Sequence, residues 1–126
     1  MKQNRPVNLD IGTIKLPITS YVSILHRVSG VILFAAVALF LLALDSSLAS
    51  AESFAALKAT LGNPVWQFVI WASLSALGYH LVLGVRHLVM DLGVGETLEG
   101  GLLSAKIAAV IAVIVIAAIA GWVFVW

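Results

Sequence analysis

The sequence predicts an all-α membrane protein with three transmembrane helices, and three observations support that class. Of 126 residues, 62% are hydrophobic and only 10% charged, against about 45–50% and 25% in soluble domains. The apolar residues gather into three stretches, each able, with its flanks, to reach across a hydrocarbon core of about 30 Å. The lysines and arginines collect on one side of those stretches. Residues 1–126 read as one membrane domain with approximate spans 21–45, 64–91 and 104–126. A net charge of +1 gives no footprint for nucleic acid. With no cysteine, the chain itself makes no disulfide, ligates no iron–sulfur cluster and does no thiol chemistry. Any redox role therefore needs a cofactor held by other side chains, or a partner.

Residues 1–20 carry Lys2, Arg5 and Lys15, with Pro6 and Pro17 interrupting any long helix, so a basic, mostly irregular surface segment is expected. The first apolar run, Gly30 to Leu44, has 15 residues. At about 1.5 Å per residue it reaches only about 22 Å. To span, the helix must extend back through Arg27, His26 and Ser23 to Tyr21, which draws a polar stripe into the membrane boundary. A secretory signal peptide is the alternative, because Ala49-Ser50-Ala51 has a small-x-small pattern. The stretch before the apolar run is long for the start of such a peptide.

Asp45 to Asn63 reads as a polar loop with a short helix around Phe54–Leu61, and Pro64 suits a first helical position. The second span runs from Pro64 to Val85 and continues as helix to Asp91. The third, Ile107 to Trp126, has no ionisable residue, and its alanine, glycine, valine and isoleucine suit close helix packing. Lys2, Arg5, Lys15, Arg27, Arg86 and Lys106 fall on one side and only Lys58 on the other. The positive-inside rule then places the N-terminus in the cytoplasm and the C-terminus in the periplasm. Trp66, Trp122 and Trp126 fall at the outer boundary, as an aromatic belt would place them.

Three groups of residues are candidates for chemistry. His80 lies about 8 Å to the cytoplasmic side of the midplane of its span. Ser73, Ala76, Gly84 and His87 share its face, and such small neighbours would let a flat macrocycle approach the backbone. Neutral imidazole is a common haem-iron ligand; the alternative is a histidine bonded to a neighbouring helix. His80 and His87 stand two turns apart, about 10.5 Å along one helix, so they cannot ligate one iron from opposite faces. Bis-histidine ligation would need its second histidine from another chain, and His26, at the mouth of the first helix, suits polar or propionate contacts.

Ser23, His26, Arg27 and Gly30 follow i, i+3, i+4, i+7 spacing and share a helix face. A hydroxyl beside a guanidinium is what a quinone head group needs: a donor to one oxygen and a fixed positive charge against developing negative charge. The alternative is an arginine that snorkels and a serine bonded to its own backbone. Arg86 and Asp91, on the same side as Arg27, either end a helix in solvent or dock a soluble partner.

The ordered motifs Arg5-Pro-Val-Asn-Leu9, Pro17-Ile-Thr19, Ser23-Ile-Leu-His-Arg-Val-Ser-Gly30, Tyr79-His80, Gly84-Val-Arg-His-Leu88 and Asp91 cover nearly the whole chain. In these the chain resembles the cytochrome b556 membrane-anchor subunits of bacterial succinate dehydrogenase. The resemblance implies a multi-pass protein of the bacterial inner membrane, in a complex with a flavoprotein subunit, an iron–sulfur subunit and a second anchor. It implies that succinate is oxidised outside this chain, which is enzymatic only as part of the complex, and that electrons pass to ubiquinone. By the same resemblance Ser23 and Arg27 bind quinone, and His80 is an axial ligand of the haem b iron, opposite a histidine of the second anchor. His26 and Arg27 then lie near the haem propionates, and His87 lies near the haem without ligating it. The rival readings are a purely structural or assembly anchor without cofactor, and a small transporter subunit. Transport is poorly served by a third span and by outer halves of the other two that have almost no polar residues.

Overall fold

A computed structural model describes Val7, Leu9, Asp10 and residues 12–125. Within them the chain forms four helices, α1 (Ile18–Ala49), α2 (Ala51–Leu61), α3 (Pro64–Asp91) and α4 (Leu98–Phe124), and no strand. Three of these, α1, α3 and α4, are long and apolar enough to cross a membrane. The expected all-helical class with three spans is therefore met. Lys2, Arg5 and Trp126, which enter the charge and aromatic-belt expectations, lie outside the described residues.

Before α1 the chain makes a small turn in which the Asp10 side chain accepts from the Gly12 amide at 3.0 Å. Pro17, in an extended conformation, is the N-cap of α1. Proline is pre-set for a helix entrance and lacks the amide a helix interior requires. The 32 residues of α1 give a rod of about 48 Å, longer than the hydrocarbon core, so its ends project beyond it. The helix begins three residues before Tyr21 and runs on through Asp45, Ser46 and Ser47 to Ala49. No glycine or proline interrupts that end, and Ser47 bonds back to the Leu44 carbonyl at 2.7 Å.

The break comes at Ser50, which is fully extended and whose side chain accepts from the Ser53 amide at 2.9 Å, capping α2. The short helix expected around Phe54–Leu61 is thus present as part of α2, while the start of the expected loop is the end of α1, the two helices being joined at one residue. Asn63 caps α3 by accepting from Val65 at 2.9 Å, with Pro64 in the first turn. Thr97 caps α4 by accepting from the Gly100 amide at 3.0 Å. Between α3 and α4, Gly93 and Gly95 take φ of 88° and 72°, the left-handed region that residues with a Cβ enter only under strain.

Helix α3 is the middle member, packed against both α1 and α4, while α2 lies mainly along α1. The core is small: Val22 of α1, Leu83 of α3, and Ala105, Ala108 and Ala112 of α4, with Ile18, Tyr79, Val82 and Ala109 packed around it. On the α4 side contact is close because side chains are short. A Cβ added to Gly78 would fall 2.8 Å from Val115 Cγ1. Trp71 donates its indole N–H to the Ile116 carbonyl at 3.2 Å across the same seam. The outward faces carry large apolar side chains, among them Val31, Phe34, Leu42, Leu81, Val113 and Ile114, all exposed. Such a surface suits lipid, where side-chain contact and hydrogen bonds, not water exclusion, hold helices together.

Candidate functional site

The face of α3 turned toward α1 carries the polar groups. His80 directs Nδ1 into α1, 3.0 Å from Ser29 Oγ and 3.2 Å from the His26 carbonyl oxygen. Ser29 Oγ in turn donates to that carbonyl at 2.6 Å. A carbonyl only accepts, so Nδ1 is the protonated nitrogen, and neutral imidazole then keeps its lone pair on Nε2. Nε2 makes no hydrogen bond among the described residues. The ring can approach α1 this closely because residue 30 is glycine: a Cβ there would stand 3.2 Å from His80 Cε1.

His26 lies against this arrangement. Its ring stacks on His80 with centroids 4.1 Å apart and planes 14° apart. The His87 ring is tilted against the His26 ring, with centroids 5.1 Å apart. His26 Nε2 is buried without a hydrogen-bond partner among the described residues. Gly84, which the sequence offered as an approach for a macrocycle, borders this ring: a Cβ at 84 would be 3.9 Å from His26 Nε2. The structure thus gathers His26, His80 and His87 into one cluster, although the sequence put His26 apart at the helix mouth.

The donor set fits one side of a haem iron. His80 offers an oriented ring with a free Nε2 lone pair, and a second-shell acceptor on the opposite nitrogen is usual for metal-bound histidine. The stacked His26 cannot be the opposite axial ligand of the same iron. Trans ligands face each other edge to edge across the metal, whereas these rings lie face to face.

The stripe read from helical spacing divides in space. Its His26 and Gly30 edge packs on His80. Its Ser23 and Arg27 edge opens on a shallow, open groove of about 370 Å³ lined by Leu16, Thr19, Ser20, Ser23, Ile24 and Arg27. Arg27 is exposed, and among the described residues it makes no ion pair. The groove combines two features a quinone ring requires, an apolar wall and, on successive turns, a hydroxyl and a guanidinium.

Three residues that sequence reasoning did not place in the site help build it. Tyr79 donates its hydroxyl to the Val22 carbonyl at 2.9 Å, fixing the turn that presents Ser23. Ser29 is buried and holds His80. Arg86, left open between solvent and a soluble partner, turns inward: it donates to Ser104 Oγ at 3.0 Å and to the Gly101 carbonyl at 3.1 Å. It ties α3 to the first turns of α4. The available signal for these residues was modest, consisting of hydroxyls and a cation within otherwise apolar helices.

Comparison with known proteins now decides the family. Residues 1–121 match the family model described as succinate dehydrogenase/fumarate reductase transmembrane subunit. The chain belongs to this family. It is 39% identical over 125 residues to the succinate dehydrogenase cytochrome b556 subunit of Coxiella burnetii, covering 98% of this chain and 100% of that one. The cytochrome b556 subunit of Paracoccus denitrificans is 31% identical over 76% of this chain and 74% of its own. The succinate dehydrogenase cytochrome b560 subunit of Reclinomonas americana is 34% identical over 79% and 72%. Family membership and the three apolar helices make this a multi-pass membrane subunit of that enzyme class.

Proposed function

We propose that the chain is the haem b- and quinone-binding anchor of a succinate dehydrogenase, accepting electrons from an iron–sulfur subunit and delivering them to ubiquinone. The observation that carries this reading is that α1 takes part in two devices. His80 of α3 is held against α1 through Nδ1, with Nε2 making no hydrogen bond among the described residues, and Ser23 and Arg27 line an open groove on another face of the same helix. The relatives' name, succinate dehydrogenase cytochrome b556 subunit, supports the haem and the dehydrogenase complex.

On this reading Ser23 donates to a quinone carbonyl oxygen and Arg27 sets a permanent cation beside it, favouring negative charge as electrons arrive. Leu16 and Ile24 offer the ring an apolar contact. Haem b, when bound, supplies a one-electron reservoir whose potential follows from its axial ligands and burial. His80 would hold the haem iron through Nε2, and a second anchor subunit would supply the other protein ligand. Arg27 and His26 lie near the propionates, and His87 stays outside the ligand set. Lys15, Arg27, Arg86 and Lys106 mark the cytoplasmic end and Lys58, on α2, the periplasmic end of a bacterial inner-membrane protein. Protons for quinone reduction then enter from the cytoplasm.

The test is a split assay on the purified complex. Ser23→Ala and Arg27→Ala should impair succinate–quinone turnover while reduction of a soluble artificial acceptor by the flavin and cluster subunits persists. Equal loss of both activities would mean that these residues serve assembly. Identifying the co-purifying subunits tests the partners directly.

A further inference from the structure

We infer that Ser29 is a positioning residue for His80, holding the Nδ1 proton so that Nε2 is presented as the basic nitrogen. This rests on the haem reading above and deepens it. Ser29 is only 5% exposed, and a buried hydroxyl in an apolar helix is costly unless it is bonded. Its own helix already satisfies it as a donor, since Oγ donates to the His26 carbonyl at 2.6 Å. A hydroxyl has a single proton, so toward His80 the oxygen can only accept. Nδ1 lies 3.0 Å from it and 3.2 Å from the same carbonyl. Both partners of Nδ1 are therefore acceptors, and both require the proton there.

The other sides of the ring are also confined. Gly30 backs Cε1 at a distance that no Cβ would tolerate comfortably, and His26 covers one face at 4.1 Å. A serine bonded only to its own helix would need no such company. An acceptor on Nδ1–H makes the imidazole a stronger electron donor to a metal at Nε2 and fixes its rotation. Removing the hydroxyl should weaken both effects.

The experiment uses the whole complex with its second anchor, carrying Ser29→Ala, Ser29→Thr or Ser29→Val. Threonine and valine have the same shape and differ in the hydroxyl. Haem content, the low-spin electron paramagnetic resonance g values and the midpoint potential are read for each. Threonine should match the parent. Alanine and valine should show shifted g values and a more positive potential, or lose haem that threonine retains. Identical g values and potentials in all variants would overturn the inference, as would a threonine complex that behaves like the valine one. His80→Ala is the control: an unchanged b-type spectrum there would sink the haem reading itself, independently of Ser29.

Discussion

The two faces of α3 meet their neighbours by different means. Toward α4 the contact is made by Gly78 against Val115 and Ile119, and by the buried alanines of α4 around Leu83. Toward α1 it is made by rings and hydroxyls, with His80 on Ser29 and His26, and Tyr79 on the Val22 carbonyl. Small residues bring backbones together and gain dispersion contact without any polar group to satisfy. Polar groups in the same apolar setting require partners, and a site that leaves some of them short of one is set up to receive a ligand. On the proposed function, the α4 seam is mainly a packing device and the α1 seam the working surface. Two polar ties also cross the packing side: Trp71 donates to the Ile116 carbonyl, and Arg86 bonds Ser104 and Gly101 at the end of the seam.

The comparison can be broken first at Arg27. Arg27→Ala should lower quinone turnover by about 10²–10³-fold, the usual cost of deleting a group that stabilises developing charge, with thermal stability nearly unchanged. Ser23→Ala, which removes one neutral donor, should cost roughly tenfold, or about 1.4 kcal/mol of barrier. An equal collapse of the artificial-acceptor assay would move these residues to the structural side.

On the other face the signature reverses. Gly78→Leu forces a side chain into a space where even a Cβ would be 2.8 Å from Val115 Cγ1. Overpacking of this kind costs about 1–3 kcal/mol, visible as a lower melting temperature of the complex. Haem spectrum and per-complex turnover should be retained in the fraction that assembles. Altered spectra at wild-type stability would show that the α4 seam also shapes the site.

The smallest effect belongs to Tyr79→Phe. It deletes one hydrogen bond to a carbonyl at 2.9 Å, worth about 0.5–1.5 kcal/mol net. A slight fall in melting temperature with a modest rise in quinone KM is expected. A rise in KM as large as that of Ser23→Ala would make the Val22 turn a determinant of binding in its own right.

Much of the fold was legible because apolar run length and terminal proline carry it. Pro64 marks the start of α3, and residues 107–124 of the ionisable-free stretch lie within α4. The end of α1 was not legible. Ser50 breaks the helix through its own conformation and the cap it gives to Ser53, with no glycine or proline to announce it. For the site, spacing within one helix correctly grouped residues by face but could not reveal what those faces meet. The stacking of His26 on His80 and the inward turn of Arg86 depend on the register between helices, which no single-helix periodicity encodes. Ser29 was hidden for a related reason. A serine three residues after a carbonyl is an ordinary self-bonded hydroxyl until a second helix brings an imidazole to it.

The most direct test of the central claim is the reduced-minus-oxidised optical spectrum of the intact complex carrying His80→Ala, normalised to its artificial-acceptor activity. The account predicts loss or a marked shift of the low-spin b-type signal while that activity remains. An unaltered signal at full intensity would contradict it and leave the α1 seam without its proposed cofactor.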